Sequence, residues 1–185
     1  MLTFGLIVEG MYDVEVLTKL IRKCAGANTQ VVPRPCGSQS TLMKNFPKFL
    51  EGFRHDNAGG HVDKALVIRD ADNKNPTTLI TTMRDRYRDR NYPFPVEPLV
   101  IVQKLEAWLL ADHNALSVVC SQGVPEIQES IEDIFDPKTK LKQILSMYHV
   151  QYTPRIAGEI AANANLDTIE YRCSKFRNFL QYVSQ

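Results

Sequence analysis

Four short apolar runs, separated by segments of helical periodicity, constrain this chain more than any other feature. Thr3–Val8 (TFGLIV), Gln30–Pro33, Lys64–Ile68 (KALVI) and Glu97–Val102 (EPLVIV) read as strands. The first and third are apolar throughout, as expected of strands buried on both faces. After Gly10, Val14, Leu17, Ile21 and Cys24 recur at helical spacing. Ser38–Phe53 carries Leu42, Phe46, Phe49, Leu50 and Phe53, and Thr77–Arg90 places Leu79, Met83 and Tyr87 on one stripe. The order β-α-β-α-β-α-β predicts an α/β fold with an open parallel sheet of about four strands and helices on both faces.

From Leu105 onward the pattern is helical almost to the end. Asp136-Pro137 and Thr153-Pro154 each place a capping side chain before a proline at the first helical turn. Phe176, Phe179, Leu180 and Val183 form the apolar face of a last helix. The expected organisation is an α/β core over 1–104 and a helical extension over 105–185, packed as one globular unit. No repeat or low-complexity linker interrupts it.

Composition excludes several classes. With 185 residues and a formal net charge of +1, the chain is no general polyanion binder. Any nucleic-acid contact must come from a local patch or a bound metal. Cys24, Cys36, Cys120 and Cys173 are scattered, with no CxxC pair and no zinc-like histidine spacing, and read as reduced thiols of a cytoplasmic protein. No secretory signal is evident. No apolar run nears the ~20 residues of a membrane span, so no membrane partner is expected.

The acids sit at informative places. Ligands of open α/β sheets gather outside the carboxyl ends of the strands. Glu9 ends the first run, and Asp70 and Asp72 end the third in "VIRDADN". A spacing of two in an extended segment aims both aspartates to one side. If the two strands are neighbours, three carboxylates converge, and a hard cation such as Mg²⁺ or Mn²⁺ relieves their repulsion. Glu106 follows the fourth run at a helix start, beside Lys104, which could meet a phosphate as a point charge. Asp112 lies six residues on, ~9 Å along and ~240° round one continuous helix, so Glu106 is the better candidate.

"LIVEGMYD" followed by "ALVIRDADN" resembles the Toprim fold. The wider pattern is similar to an uncharacterised bacterial family grouped with Toprim. It has Glu9-Gly10, Asp70-Ala71-Asp72, an "EAWLLAD" segment from Glu106 to Asp112 and a terminal "SKFRNFL" helix from Ser174 to Leu180. The resemblance implies a Toprim-like sheet and Mg²⁺-dependent phosphodiester hydrolysis. It makes Glu9 an acid/base or metal ligand, and Asp70 and Asp72 metal ligands. No segment reads as the modules that give topoisomerases or primases their activity. That leaves a nuclease acting on nucleic acid, in a phage-defence or processing system. The alternative is a non-catalytic module that binds a metal-nucleotide or a protein partner within a defence complex. Oligomeric state is not legible.

Other motifs have plainer readings. Asp13, one turn into the first helix, is expected to be a surface acid favoured by the helix dipole. Glu106 stands between a supporting role and plain helix surface, and Trp108 reads as core. At "RPCGSQS" (34–40), Arg34, Gly37 and Ser38, with Gly10 from the end of the first strand, could cradle a phosphate at a helix start, although helix capping by Ser38 or Ser40 explains the motif better. "RDRYRDR" (84–90) reads as a solvated helix face. Four dispersed histidines and no GxSxG argue against histidine or serine catalysis. The acidic pair is on the third strand and Lys74 replaces threonine or valine, which excludes a haloacid-dehalogenase-type phosphatase. A receiver domain fails for want of an acidic pair after the first strand.

Overall fold

A computed structural model describes residues 1–55 and 61–185. Its sheet has four parallel strands, β1 (Thr3–Val8), β2 (Gln30–Pro35), β3 (Lys64–Asp70) and β4 (Val96–Ile101), in the order β2-β1-β3-β4. The two central strands, β1 and β3, are the two most fully buried. The prolines of β2 and β4, Pro33, Pro35 and Pro98, lie on the edges, where a missing N–H leaves no gap between two strands. β1 is buried along its whole length.

Each face of the sheet has its own core. On one face, α1 (Met11–Ala25) packs Val16, Leu17, Leu20 and Ile21 against Phe4, Leu6, Val8, Leu66 and Ile68. On the other, α2 (Gln39–His55) and α3 (Pro76–Asp85) cover Ile7, Val67 and Val100 with Leu42, Phe46, Leu50 and Met83. This alternation of faces along β1 and β3 follows from the two-residue period of a strand. α3 ends earlier than its apolar stripe predicts. Beyond Asp85 the backbone continues in turns, with Arg86, Tyr87 and Arg90 amides donating three residues back. Tyr87 then reaches the Val96 carbonyl and the edge of Phe46.

The segment after β4 is helical, as expected, but it is broken more often. α4 (Glu106–Leu110) and α5 (His113–Cys120) are separate, because Asp112 leaves helical geometry to cap α5. α6 (Pro137–Met147), α7 (Pro154–Asn163) and α8 (Leu166–Arg172) start on Asp136, Thr153 and Asn165, each accepting a backbone N–H. α9 (Phe176–Ser184) closes the chain.

These helices share the core of the α1 face. α7 lies along α1, with Gly158 against Glu15, and the Lys23 ammonium donates to the Ala162 and Ala164 carbonyls at the end of α7. Trp108 meets Phe176 edge-on at 4.7 Å and Phe179 at 5.4 Å. The Tyr182 hydroxyl donates to carbonyls of Pro95 and Ala65, pinning α9 to the β3 and β4 starts. Among the described residues, no helix is long and apolar enough to cross a membrane.

Gly5 sits mid-β1 with the Phe53 ring of α2 lying on it. A methyl group at that position would come within 2.5 Å of the ring. Gly5→Ala should therefore destabilise the protein by about 1–3 kcal/mol, the usual range for overpacking. Adding Phe53→Leu, which opens the space, should recover part of that loss. Urea unfolding of the two variants measures both effects.

Candidate functional site

The pairing of β1 with β3 sets Ile7 opposite Val67, so the chain leaves both strands at the same edge of the sheet. Glu9 emerges from β1, where its carbonyl accepts the Gly37 amide at 2.7 Å. Asp70 is the last residue of β3, and its Oδ1 accepts the Leu105 amide at 3.0 Å. Between them opens a polar cleft of about 250 Å³. Its walls carry Glu9, Asp13, Asp70, Asp72 and Glu106, with Lys104 and Lys138.

The two aspartates of the DxD both line the cleft, but not through an extended backbone. Extended geometry stops at Asp70. Asp72 has a φ of 45° and Asn73 a φ of 62°, a left-handed turn closed by the Lys74 amide on the Ala71 carbonyl. Asp70 turns toward α4. Asp72 turns toward α2, where its Oδ2 accepts from Gln39 Nε2 at 2.9 Å. Asparagine and aspartate tolerate this backbone better than most residues, so the sequence fits its turn.

Asp13 is a cleft residue and not the surface acid expected. Its Oδ2 accepts the Gly10 amide at 2.7 Å, closing the first turn of α1 and aiming the carboxyl inward. Burial, with Glu106 and Glu9 adding to it, pushes its pKa to about 6. Glu106 is neither helix surface nor free. All five residues of α4 are buried beneath α6 and α7, and Glu106 is 5% exposed. Its Oε1 accepts from the Tyr152 hydroxyl at 3.1 Å and faces Lys138 Nζ at 3.6 Å. Tyr152 in turn stacks on Tyr12 at 4.9 Å, and Lys138 lies 4.8 Å over the Tyr12 ring. Tyr12, Lys138 and Tyr152 were absent from the sequence candidates. Tyr152 and Lys138 lie in the helical extension, and only tertiary packing brings them in. The one available clue for Tyr12 and Asp13 was their place one turn after Glu9.

Of the other candidates, Gly10 and Gly37 line the cleft, and Lys104 does so while facing Asp136 at 3.6 Å. Arg34 does not. It lies inside β2, its guanidinium 5.3 Å over the Phe53 ring. Ser38 acts as a cap, its hydroxyl accepting the Thr41 amide. Asp112 is buried away from the cleft, where it accepts the amides of Asn114 and Asn165. The thiols sit outside the chemistry. Burial raises Cys24 and Cys36 to about 11 and Cys173 to about 12, so they stay protonated.

The cleft is electrostatically strained. Burial drives Asp70 well above the ordinary carboxylate range, and Asp13, Glu106, Asp72 and Glu9 each push it further. Glu9 is raised by burial and by Asp72, against the pull of Lys138, Arg69 and Lys104. Arg69, next to Asp70 in β3, is itself buried and lowered by that burial. Among the described residues, no group of three or more carboxylate, histidine or cysteine side chains is placed to hold a metal ion. The donors are nevertheless all oxygen. Asp13, Asp70, Asp72 and Glu106 each use one carboxylate oxygen in the bonds above. None of their remaining oxygens is both buried and unpartnered. This set fits a hard cation that keeps part of its water, as Mg²⁺ does, and not one that needs a full protein cage.

A family model described as Domain of unknown function (DUF4276) matches residues 8–184. The chain belongs to that family. The match takes in both the strand edge and the extension that covers it. A crystal structure of hypothetical protein PH0156 from Pyrococcus horikoshii OT3 has the same fold. It is aligned over 100% of both chains at a TM-score of 0.58 and 14% identity. No curated protein matches the chain.

The raised carboxyls set a pH dependence. A carboxyl with a higher pKa folded than unfolded holds its proton better in the fold. Its burial cost is full above the folded pKa and is relieved as pH falls toward the unfolded one. For Asp13, between 3.8 and about 6, the relief is on the order of 2–3 kcal/mol. In EDTA, the melting temperature should thus rise between pH 7.5 and pH 5. Asp70→Asn should raise it at pH 7.5 and flatten the slope. A melting temperature that falls steadily over that range would contradict this electrostatic account.

Proposed function

We propose that the cleft binds Mg²⁺ or Mn²⁺ and hydrolyses phosphodiester bonds of a nucleic acid. The observation that carries this reading is the convergence of five carboxylates with two lysines at the carboxyl edge of a parallel sheet. Five negative and two positive groups leave a formal excess of three negative charges. Such an excess in a partly buried cleft is costly to a protein that makes no use of it. Glu9 at the end of β1 and Asp70-Ala71-Asp72 at the end of the adjacent β3 also support a Toprim-like reading.

A divalent cation would supply charge for the scissile phosphate and a more acidic water. Asp70 and Asp72 would hold it from the two sides of the cleft. Glu9, raised above an ordinary carboxylate, is suited to take up a proton from the attacking water or deliver one to the leaving oxygen. Lys104 and Lys138 would meet the phosphate. Glu106 is a positioning residue here. Its carboxylate fixes Lys138 and Tyr152 and so sets where the phosphate lies.

Two variants separate the roles. Asp70→Asn with Asp72→Asn should abolish Mg²⁺ binding measured by calorimetry. Glu9→Gln should keep most of that binding and lower cleavage of labelled single- or double-stranded substrates by roughly 10²–10⁴. Unchanged Mg²⁺ affinity in the aspartate variant would remove the metal site. A wild type that binds Mg²⁺ yet cleaves neither DNA nor RNA, with Mg²⁺ or Mn²⁺, would favour a binding module.

A further inference from the structure

α6 begins in the cleft and ends outside it. Lys138, in its first turn, faces Glu106. Lys142 and Ser146 follow at intervals of four residues, on the same face of the helix. The path from Lys138 to Ser146 is ~12 Å long. Lys140, two residues from Lys138, turns away to Glu129 at 3.0 Å. Beyond the helix the chain passes His149 and returns to Tyr152.

A second groove, of about 540 Å³, lies along this face. It is lined by Lys142, Ser146, His149, Val150, Gln151 and Tyr152. Lys142, Ser146, His149 and Gln151 are all exposed. No carboxylate stands within ion-pair distance of Lys142 among the described residues. Tyr152, which lines the groove, stands between it and the acidic cleft. Its hydroxyl holds Glu106 on the cleft side, its ring stacks on Tyr12, and it also lines the groove. The groove thus begins one turn of α6 beyond the cleft, at Lys142 after Lys138, and carries an ammonium with hydroxyl and amide groups where the cleft carries acids.

We propose that the α6 face from Lys138 through Lys142 and Ser146 to His149 is the track for a single polynucleotide strand flanking the bond held in the cleft. The inference rests on the phosphodiesterase reading of the cleft. Charge and continuity favour this occupant. The groove carries hydrogen-bond donors and an uncompensated ammonium, suited to phosphate oxygens, and it follows the α6 face that starts at Lys138 in the cleft. Lys138 and Lys142, one turn apart on α6, form a single line of charge that suits one strand.

The test uses fluorescein-labelled dT3, dT12 and rU12, with anisotropy as the readout in EDTA and in Mg²⁺, and compares wild type with Lys142→Glu/Ser146→Glu. Both positions are exposed, and a matching melting temperature establishes that the variant is folded. The wild type should bind the 12-mers more tightly than dT3. The variant should lose that length advantage and keep Mg²⁺ affinity by calorimetry. In a separate variant, Lys142→Gln, the slope of log affinity against log salt should fall by about 0.7, one phosphate contact on a single strand. Preference for dT12 or rU12 identifies the sugar, and either supports the track. Equal 12-mer affinity in wild type and the Glu variant, or no oligonucleotide binding at all, overturns it. Lys142-dependent strand binding without Mg²⁺ binding would instead overturn only the metal reading of the cleft.

Discussion

Parallel pairing of β1 with β3 puts the carboxyl ends of two central strands side by side, and the site depends on that adjacency. Glu9 lies two residues beyond Ile7, and Asp70 three beyond its partner Val67. Because both strands are buried on two faces, their ends are the first places where polar side chains can stand. The register is held from both sides by separate apolar cores. A one-residue slip would exchange the two faces of a strand and dismantle both cores together. The positions of the acids are therefore coupled to the stability of the whole sheet.

The helical extension does more than cover one face. α4 places Glu106 beneath α6 and α7, and α6 returns Lys138 to the same cleft. The Leu105 amide at the head of α4 binds Asp70 directly. The carboxyls of the strand edge are thus desolvated by the segment that also supplies the cations facing them. Removing the extension would expose the α1 stripe as well as open the cleft, so core and site are one cooperative unit in packing terms.

Much of this was legible in the sequence. The four strands, the helices between them and the proline-marked starts of α6 and α7 follow from periodicity and capping chemistry. Glu9, Asp70 and Asp72 were readable because strand ends are where an apolar run must stop. What was not legible depends on long-range packing. Asp13 looks like a helix-start acid until Glu106 is placed against it. Tyr152 and Lys138 come from helices whose approach to the sheet no local pattern encodes. Asp70 and Asp72 line one cleft, but not by the extended geometry expected, because β3 ends one residue before Ala71 and the next two residues turn left-handed. Arg34 was misplaced for a similar reason, since β2 runs two residues further than its β-branched stretch and carries Arg34 onto Phe53.

The central claim is that the strand-edge acids hold a divalent cation in place. Anomalous scattering from a crystal grown with Mn²⁺ tests it most directly. The account predicts one strong peak in the cleft, within coordination distance of Asp70 and of Glu9 or Asp72, that disappears in Asp70→Asn/Asp72→Asn. A fully occupied peak elsewhere on the protein with none in the cleft, or no peak at all, would contradict it.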